Sequence, residues 1–287
     1  MNIWVAGARP RTLAVSAAPV LVGSAAASQV ADDLIWWRAV AALMVALALQ
    51  VGVNYANDYS DGVRGTDAER RGPVRLTASG LASPAAVKRA AGLAFAVAAV
   101  VGLVLALAVN PWLLLVGVAA VAAAVLYTGG PRPYGYLGLG EVMVLVFFGF
   151  VATTGSAYVQ LERVPATAWW GSLVVGLPTV GVLLANNIRD VATDAMVGKR
   201  TLAVRLGPLR ARKLYAGCIA LAFVALAPMC IDAPWVAIAF LGVPLAVQPL
   251  LLVLSRDDPR SLVAALIATV RLTLVLALLT AMGLAVS

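Results

Sequence analysis

WWRAVAALMVALALQVGVNYANDYSDGVRGTD, residues 36–67, is an apolar run that turns at Asn54 into a string of amides and carboxylates. Between Arg38 and Asn54 the one strongly polar side chain is Gln50. A hydrocarbon core of about 30 Å is crossed by ~20 such residues in a helix, so residues 36–57 predict a membrane span that ends in an acidic surface loop. Charge-poor runs bounded by charges or by Pro and Gly recur at 12–30, 86–108, 111–128, 138–159, 167–188, 212–230, 234–254 and 261–285. The predicted fold is all-α, a polytopic membrane helix bundle of about nine transmembrane helices forming one domain over residues 1–287.

Composition agrees: 62% of the residues are hydrophobic and 12% charged, so lipid rather than water is the main solvent. Arg9 and Arg11 ahead of the first apolar run also fit a cleavable leader, but the length of the run favours a first span. When alternate loops are assigned to opposite faces, the cations separate. The N-terminus and the loops after spans two, four, six and eight hold 2, 6, 1, 7 and 2 Lys or Arg, while the other face holds only Arg38 and Arg163. The positive-inside rule then places the N-terminus and both long acidic loops in the cytoplasm. The net charge of +8 reflects this topology and does not call for a nucleic-acid partner. There is no histidine, which removes imidazole bases and His-ligated haem or zinc. Cys218 and Cys230 lie ~18 Å apart along a straight helix, too far to pair, and read as buried small hydrophobes.

If the second helix continues through its polar end, Asn54, Asn57, Asp58 and Asp61 fall at i, i+3, i+4 and i+7, one stripe at the membrane surface. The sixth span ends in NNIRDVATD, residues 186–194, where Asn186, Asp190 and Asp194 form a second stripe at i, i+4 and i+8. The Asp-rich loops 54–85 and 186–211 carry a weak internal repeat: Asn57-x3-Asp61 recurs as Asn186-x3-Asp190, and Val74-Arg75-Leu76 as Val204-Arg205-Leu206. Clustered carboxylates at a low-dielectric boundary are costly unless cations compensate them. Hard oxygen donors without His or Cys suit Mg²⁺, which shares itself between one or two carboxylates and phosphate. A diphosphate is the natural third party, with Arg64, Arg70, Arg71, Arg75, Lys199, Arg200 and Arg205 as its further donors. Asp67, Glu69, Arg70 and Arg71 read equally well as solvated surface charges.

Here the strings NDYSDGVRGTD, GPVRLTASG, YTGGPRPYGYLGLGE and NNIRDVATDAMVGKRTLAVRLG become informative together. The chain resembles the UbiA-type family of intramembrane aromatic prenyltransferases, and within it the branch that prenylates 1,4-dihydroxy-2-naphthoate in menaquinone biosynthesis. The resemblance runs from ARPRT at residues 8–12 through the ninth span. It implies transfer of a polyprenyl chain from an all-trans polyprenyl diphosphate to 1,4-dihydroxy-2-naphthoate with decarboxylation, giving demethylmenaquinol. Mg²⁺ is the implied cofactor, on Asp58, Asp61, Asp67, Asp190 and Asp194, and Lys199 joins the catalytic set. Asn54, Asn57, Arg64, Arg75, Arg132, Tyr134 and Asn186 are the implied substrate-binding residues. The family's first motif ends in an acid where this chain has Gly65, with Asp67 displaced by two. The site is expected on the cytoplasmic face of a bacterial-type cell membrane.

Residues 127–141, rich in Gly and Pro, predict a tight loop rather than a helix. It reads as a plain connector or as a wall carrying Arg132, Tyr134 and Glu141 to the site, and the resemblance favours the wall. Arg271, deep in the ninth span, is expected to face a partner or a wet cavity. Trp36, Trp37, Trp169 and Trp170 read as interfacial belt residues. Other aromatic acceptors, 4-hydroxybenzoate or homogentisate, are alternatives within the class. A cation-coupled transporter is an alternative outside it, one that expects acids at the bilayer midplane.

Overall fold

The computed structural model describes residues 2–31, 33–66 and 75–287, so Asp67, Glu69, Arg70, Arg71 and Val74 lie outside the described residues. A short α1 (Ile3–Ala8) and a 3₁₀ turn (Pro10–Thr12) lead into α2 (Ala14–Ser28), followed by α3 (Trp36–Arg64), α4 (Pro84–Ala108) and α5 (Leu113–Leu126). A 3₁₀ turn (Tyr134–Leu137) precedes a span made of α6 (Gly140–Val144), a π-helical segment (Leu145–Val151) and α7 (Ala152–Leu161). Then come α8 (Ala166–Arg189), the short α9 (Val191–Met196) and α10 (Leu202–Leu206), and α11 (Pro208–Val224) with α12 (Leu226–Asp232). A 3₁₀ stretch (Pro234–Gly242) runs into α13 (Val243–Ser255), and α14 (Pro259–Ala285) closes the bundle. Among the described residues, seven helical stretches are long and apolar enough to cross a membrane, and the shorter apolar α2 and α5 complete the nine segments expected. The chain is a multi-pass membrane protein.

Local chemistry sets the ends of these helices. Ser83 and Asp258 cap α4 and α14 by accepting the amides of Ala86 and Ser261, each followed by a proline that has no amide to leave unpaired. α3 runs seven residues past its predicted end and stops at Gly65, which takes a left-handed φ of 73° that other residues adopt at a cost. The acidic stripe is therefore helical throughout, as its spacing requires. The second stripe is not: α8 ends at Arg189, with Asp190 at φ −97° and ψ 6°, although Asp194 N still donates to Asp190 O at 2.8 Å.

α2, α8, α11, α12 and α14 form the centre, where Val22, Val174, Leu184, Tyr215, Leu272 and Leu276 are fully buried. Glycines allow the closest approaches. A Cβ on Gly171 of α8 would lie 2.6 Å from Val22 of α2, and one on Gly176 would lie 2.7 Å from the Cα of Gly149. The latter contact sits where the π-helical segment passes α8. α4 and α5 instead turn Leu93, Val100, Leu107, Leu115 and Val118 outward, an apolar face suited to lipid. The four tryptophans expected in the interfacial belt are exposed near helix ends opposite the acidic loops.

Arg271 corrects its expectation. It is exposed on α14 and does not line the internal cavity, whose last lining residue on that helix, Ile267, lies about one turn earlier. A long arginine stem so placed can carry its head toward the interface. Both cysteines are free thiols, Cys218 buried and Cys230 only half-buried.

Candidate active site at the acidic helix ends

The polar stripe of α3 is buried from Gln50 to Asp61, and its members reach different partners. Asn54 Nδ2 donates to Ala8 O at 2.9 Å, and Tyr55 Oη donates to Trp4 O at 2.6 Å, so α3 holds the N-terminal segment in place. Asn57 Oδ1 accepts from Thr128 Oγ1 at 2.8 Å. Asp58 accepts the backbone amides of Leu76 and Thr77 on its two oxygens, at 2.7 and 2.9 Å. Asp61 accepts from Tyr136 Oη at 2.8 Å and faces Arg75 Nη2 at 4.0 Å. Arg64 donates to the carbonyls of Thr128 and Gly130.

Across the site, Arg189 grips Asp190 with two hydrogen bonds of 2.7 Å and also donates to Asn186 Oδ1 at 2.9 Å. Lys199 Nζ stands 3.8 Å from Asp194, whose carbonyl accepts the Lys199 amide at 2.8 Å. The neighbouring Asn187 donates to the buried Glu141 at 2.9 Å. Tyr134 donates to Ala123 O at 2.9 Å. Burial raises the Tyr134 phenol to about 12, and burial together with the Asp61 charge raises Tyr136 to about 12, so both remain neutral donors.

Part of this set borders one cavity of about 1380 Å³. Its polar end is lined by Asn54, Asn57, Asp61, Arg75, Tyr134, Asn186, Asn187, Arg189 and Lys199. Its apolar part runs between α3, α4, α5 and α7, past Val45, Leu49, Leu105, Leu113, Phe147 and Gly155. From Asn57 to Ala42, both at its wall, α3 extends about 22 Å. One space thus carries cationic and amide donors at one end and apolar walls along the rest.

The structure sorts the expected residues. Asn54, Asn57, Asp61, Arg75, Tyr134, Asn186 and Lys199 line the cavity, and Asp190 and Asp194 join it through Arg189 and Lys199. Asp58 does not line the cavity: its two oxygens accept the backbone amides of Leu76 and Thr77. Arg64 does not line it either, being spent on loop carbonyls, and Arg132 is exposed on the loop. Sequence reasoning missed Thr128, Tyr136, Asn187 and Arg189. Each lies inside a motif already quoted, but nothing in the spacing separates them from neighbours that do not reach the site.

Among the described residues no three acidic, Cys or His side chains gather as a protein-only metal cage. The donor set still fits Mg²⁺, which needs only one or two carboxylates when phosphate oxygens complete its shell. Asp61, Asp190 and Asp194 are hard oxygen donors, each already facing a cation at 2.7–4.0 Å that can pass to a phosphate.

Fold and site together define an integral membrane helical bundle with an amphipathic substrate cavity closed by two acidic helix ends. Residues 16–275 match the family model described as the UbiA prenyltransferase family. The chain belongs to that family. It is 50% identical over 245 residues to the 1,4-dihydroxy-2-naphthoate octaprenyltransferase of Mycobacterium tuberculosis, covering 85% of this chain and 84% of the relative. It is 35% identical over 301 residues to the Escherichia coli protein of the same name, covering 99% and 95%. The fold matches a UbiA homolog from Archaeoglobus fulgidus bound to GPP and Mg²⁺, with a TM-score of 0.66, 15% identity, and 96% and 99% of the two chains covered.

Proposed function

We propose that the chain transfers a polyprenyl group from an all-trans polyprenyl diphosphate to 1,4-dihydroxy-2-naphthoate, releasing diphosphate and CO₂ and giving demethylmenaquinol. The observation that carries this reading is the single cavity whose cation- and acid-lined end opens into an apolar channel. Relatives with this named activity cover nearly the whole chain. Asp61, Asp190 and Asp194 would hold Mg²⁺, which when bound offsets charge on the leaving diphosphate. Arg75, Arg189 and Lys199 leave their carboxylates to bind phosphate oxygens and stabilise the charge that grows as the allylic C–O bond breaks. The apolar walls seat the prenyl tail and keep water from the allylic cation. The electron-rich naphthoate ring attacks that cation and the carboxylate departs as CO₂ on rearomatisation, a path that needs neither histidine nor a covalent enzyme intermediate. Asn57, fixed by Thr128, and Asn186, fixed by Arg189, supply amides at the polar end.

The deciding assay gives the purified protein labelled polyprenyl diphosphate, Mg²⁺ and, separately, dihydroxynaphthoate, 4-hydroxybenzoate or homogentisate, beside Asp61→Ala and Asp190→Ala. Turnover with dihydroxynaphthoate that both substitutions abolish is expected. Activity confined to hydroxybenzoate, or full activity in the variants, sinks the proposal. The cations around the polar end support placing it on the cytoplasmic face. In a background with Cys218 and Cys230 replaced, a cysteine at position 132 should react with an impermeant maleimide from that side; labelling only from the opposite side reverses the topology.

A further inference from the structure

The loop between α5 and α6 touches both acidic segments, and several of those contacts pass through Tyr136. Its hydroxyl donates to Asp61 of the first segment at 2.8 Å, with Thr66 Oγ1 at 3.4 Å. Its carbonyl accepts the amide of Arg200 in the second at 3.1 Å. The ring lies 5.5 Å from the Arg64 guanidinium and 5.2 Å from the Lys199 ammonium, one cation from each segment. Two residues on, Gly138 is pressed against the second segment: a Cβ there would lie 2.8 Å from Arg205 Cδ.

A tyrosine that merely filled space would need no carboxylate partner. Here the phenol is aimed at Oδ1 of the one acid of α3 that lines the cavity, while Arg75 Nη2 stands 4.0 Å from Oδ2. We propose that Tyr136 is a positioning residue: it fixes Asp61 for the ion and ties the two acidic segments together, so that both grip the same diphosphate. The inference rests on the prenyl-diphosphate reading. Partners that orient a metal-binding carboxylate typically matter by about 10–100-fold in metal affinity.

The test is binding rather than turnover. Geranyl S-thiolodiphosphate, which does not ionise, is titrated calorimetrically into the full chain in detergent, with and without Mg²⁺, for wild type, Tyr136→Phe, Asp61→Asn and the double variant. Tyr136→Phe is expected to weaken Mg²⁺-dependent binding about 10–100-fold and to leave Mg²⁺-free binding unchanged. In the Asp61→Asn background it should have no further effect, because the phenol acts through Asp61. Equal losses with and without Mg²⁺, or an undiminished loss in the Asp61→Asn background, overturn the inference. If Tyr136→Phe does not fold, Gly138→Ala, which strains the left-handed backbone there (φ 75°) and crowds the Arg200 carbonyl at 3.3 Å, should give the same Mg²⁺-dependent loss, and unchanged binding there overturns it equally. A wild type that binds no analogue removes the prenyl-diphosphate reading and this inference with it.

Discussion

Asp58 and Asp61 lie about one turn apart on the same buried face of α3, yet they face different tasks. Asp58 spends both oxygens on the amides of Leu76 and Thr77, and Leu76 is fully buried against α3 and the N-terminal segment. Removing its carboxylate orphans two amides at about 1–3 kcal/mol each. Asp58→Ala should therefore cause the larger fall in melting temperature, and Asp61→Ala the larger fall in turnover. The opposite ranking would refute this division. Tyr136 adds a prediction in pH. Its phenol is raised from 10.0 to about 12 by burial and then by Asp61, so the unfolded chain releases this proton first. Its contribution to stability is complete below about pH 10 and is lost as pH climbs toward about 12. The melting temperature of the wild type should fall more steeply over that window than that of Tyr136→Phe, and parallel curves would count against the assignment.

At the scale of helices, glycine has opposite meanings at different positions. A Cβ on Gly23 of α2 would collide with the Thr153 carbonyl of α7, whereas one on Gly92 of α4 would meet nothing within 4 Å. Overpacking of this kind costs about 1–3 kcal/mol, so Gly23→Ala should lower the melting temperature in detergent. Gly92→Ala should leave it unchanged or raise it, since alanine is the better helix former by about 1 kcal/mol. Equal effects of the two substitutions would contradict the packing described. Both helices were legible in the sequence because an uninterrupted apolar run is a local property. The site's loop, residues 127–141, was legible only as a loop. Its Gly and Pro content excluded a helix, but connector and wall remained open until Thr128 and Tyr136 were seen against Asn57 and Asp61.

Over the whole molecule, the cavity joins chemistry at the acidic end to a channel far down the bundle. Gly155 lines that channel with open space beyond its Cα, about 22 Å along the span from Gly140. Gly155→Phe should fill the far part of the channel without disturbing the polar end. Turnover with long polyprenyl diphosphates is expected to fall while turnover with geranyl diphosphate is retained, as read from a chain-length series at fixed acceptor. A uniform loss across chain lengths would show that the tail does not run this way.

The sequence by itself determined the helical membrane fold and the helix ends that carry the acids. Hydropathy and the 3.6-residue period are written in consecutive residues, and no distant partner is needed to read them. Only the tertiary structure decided which oxygens face the cavity. Asp58 and Asp61 are indistinguishable by spacing, and what separates them is a backbone turn at Leu76 for one and the Tyr136 hydroxyl, 75 positions away, for the other. Arg271 shows the same division: its depth in α14 was fixed by sequence, and its exposure only by how the bundle packs around that helix.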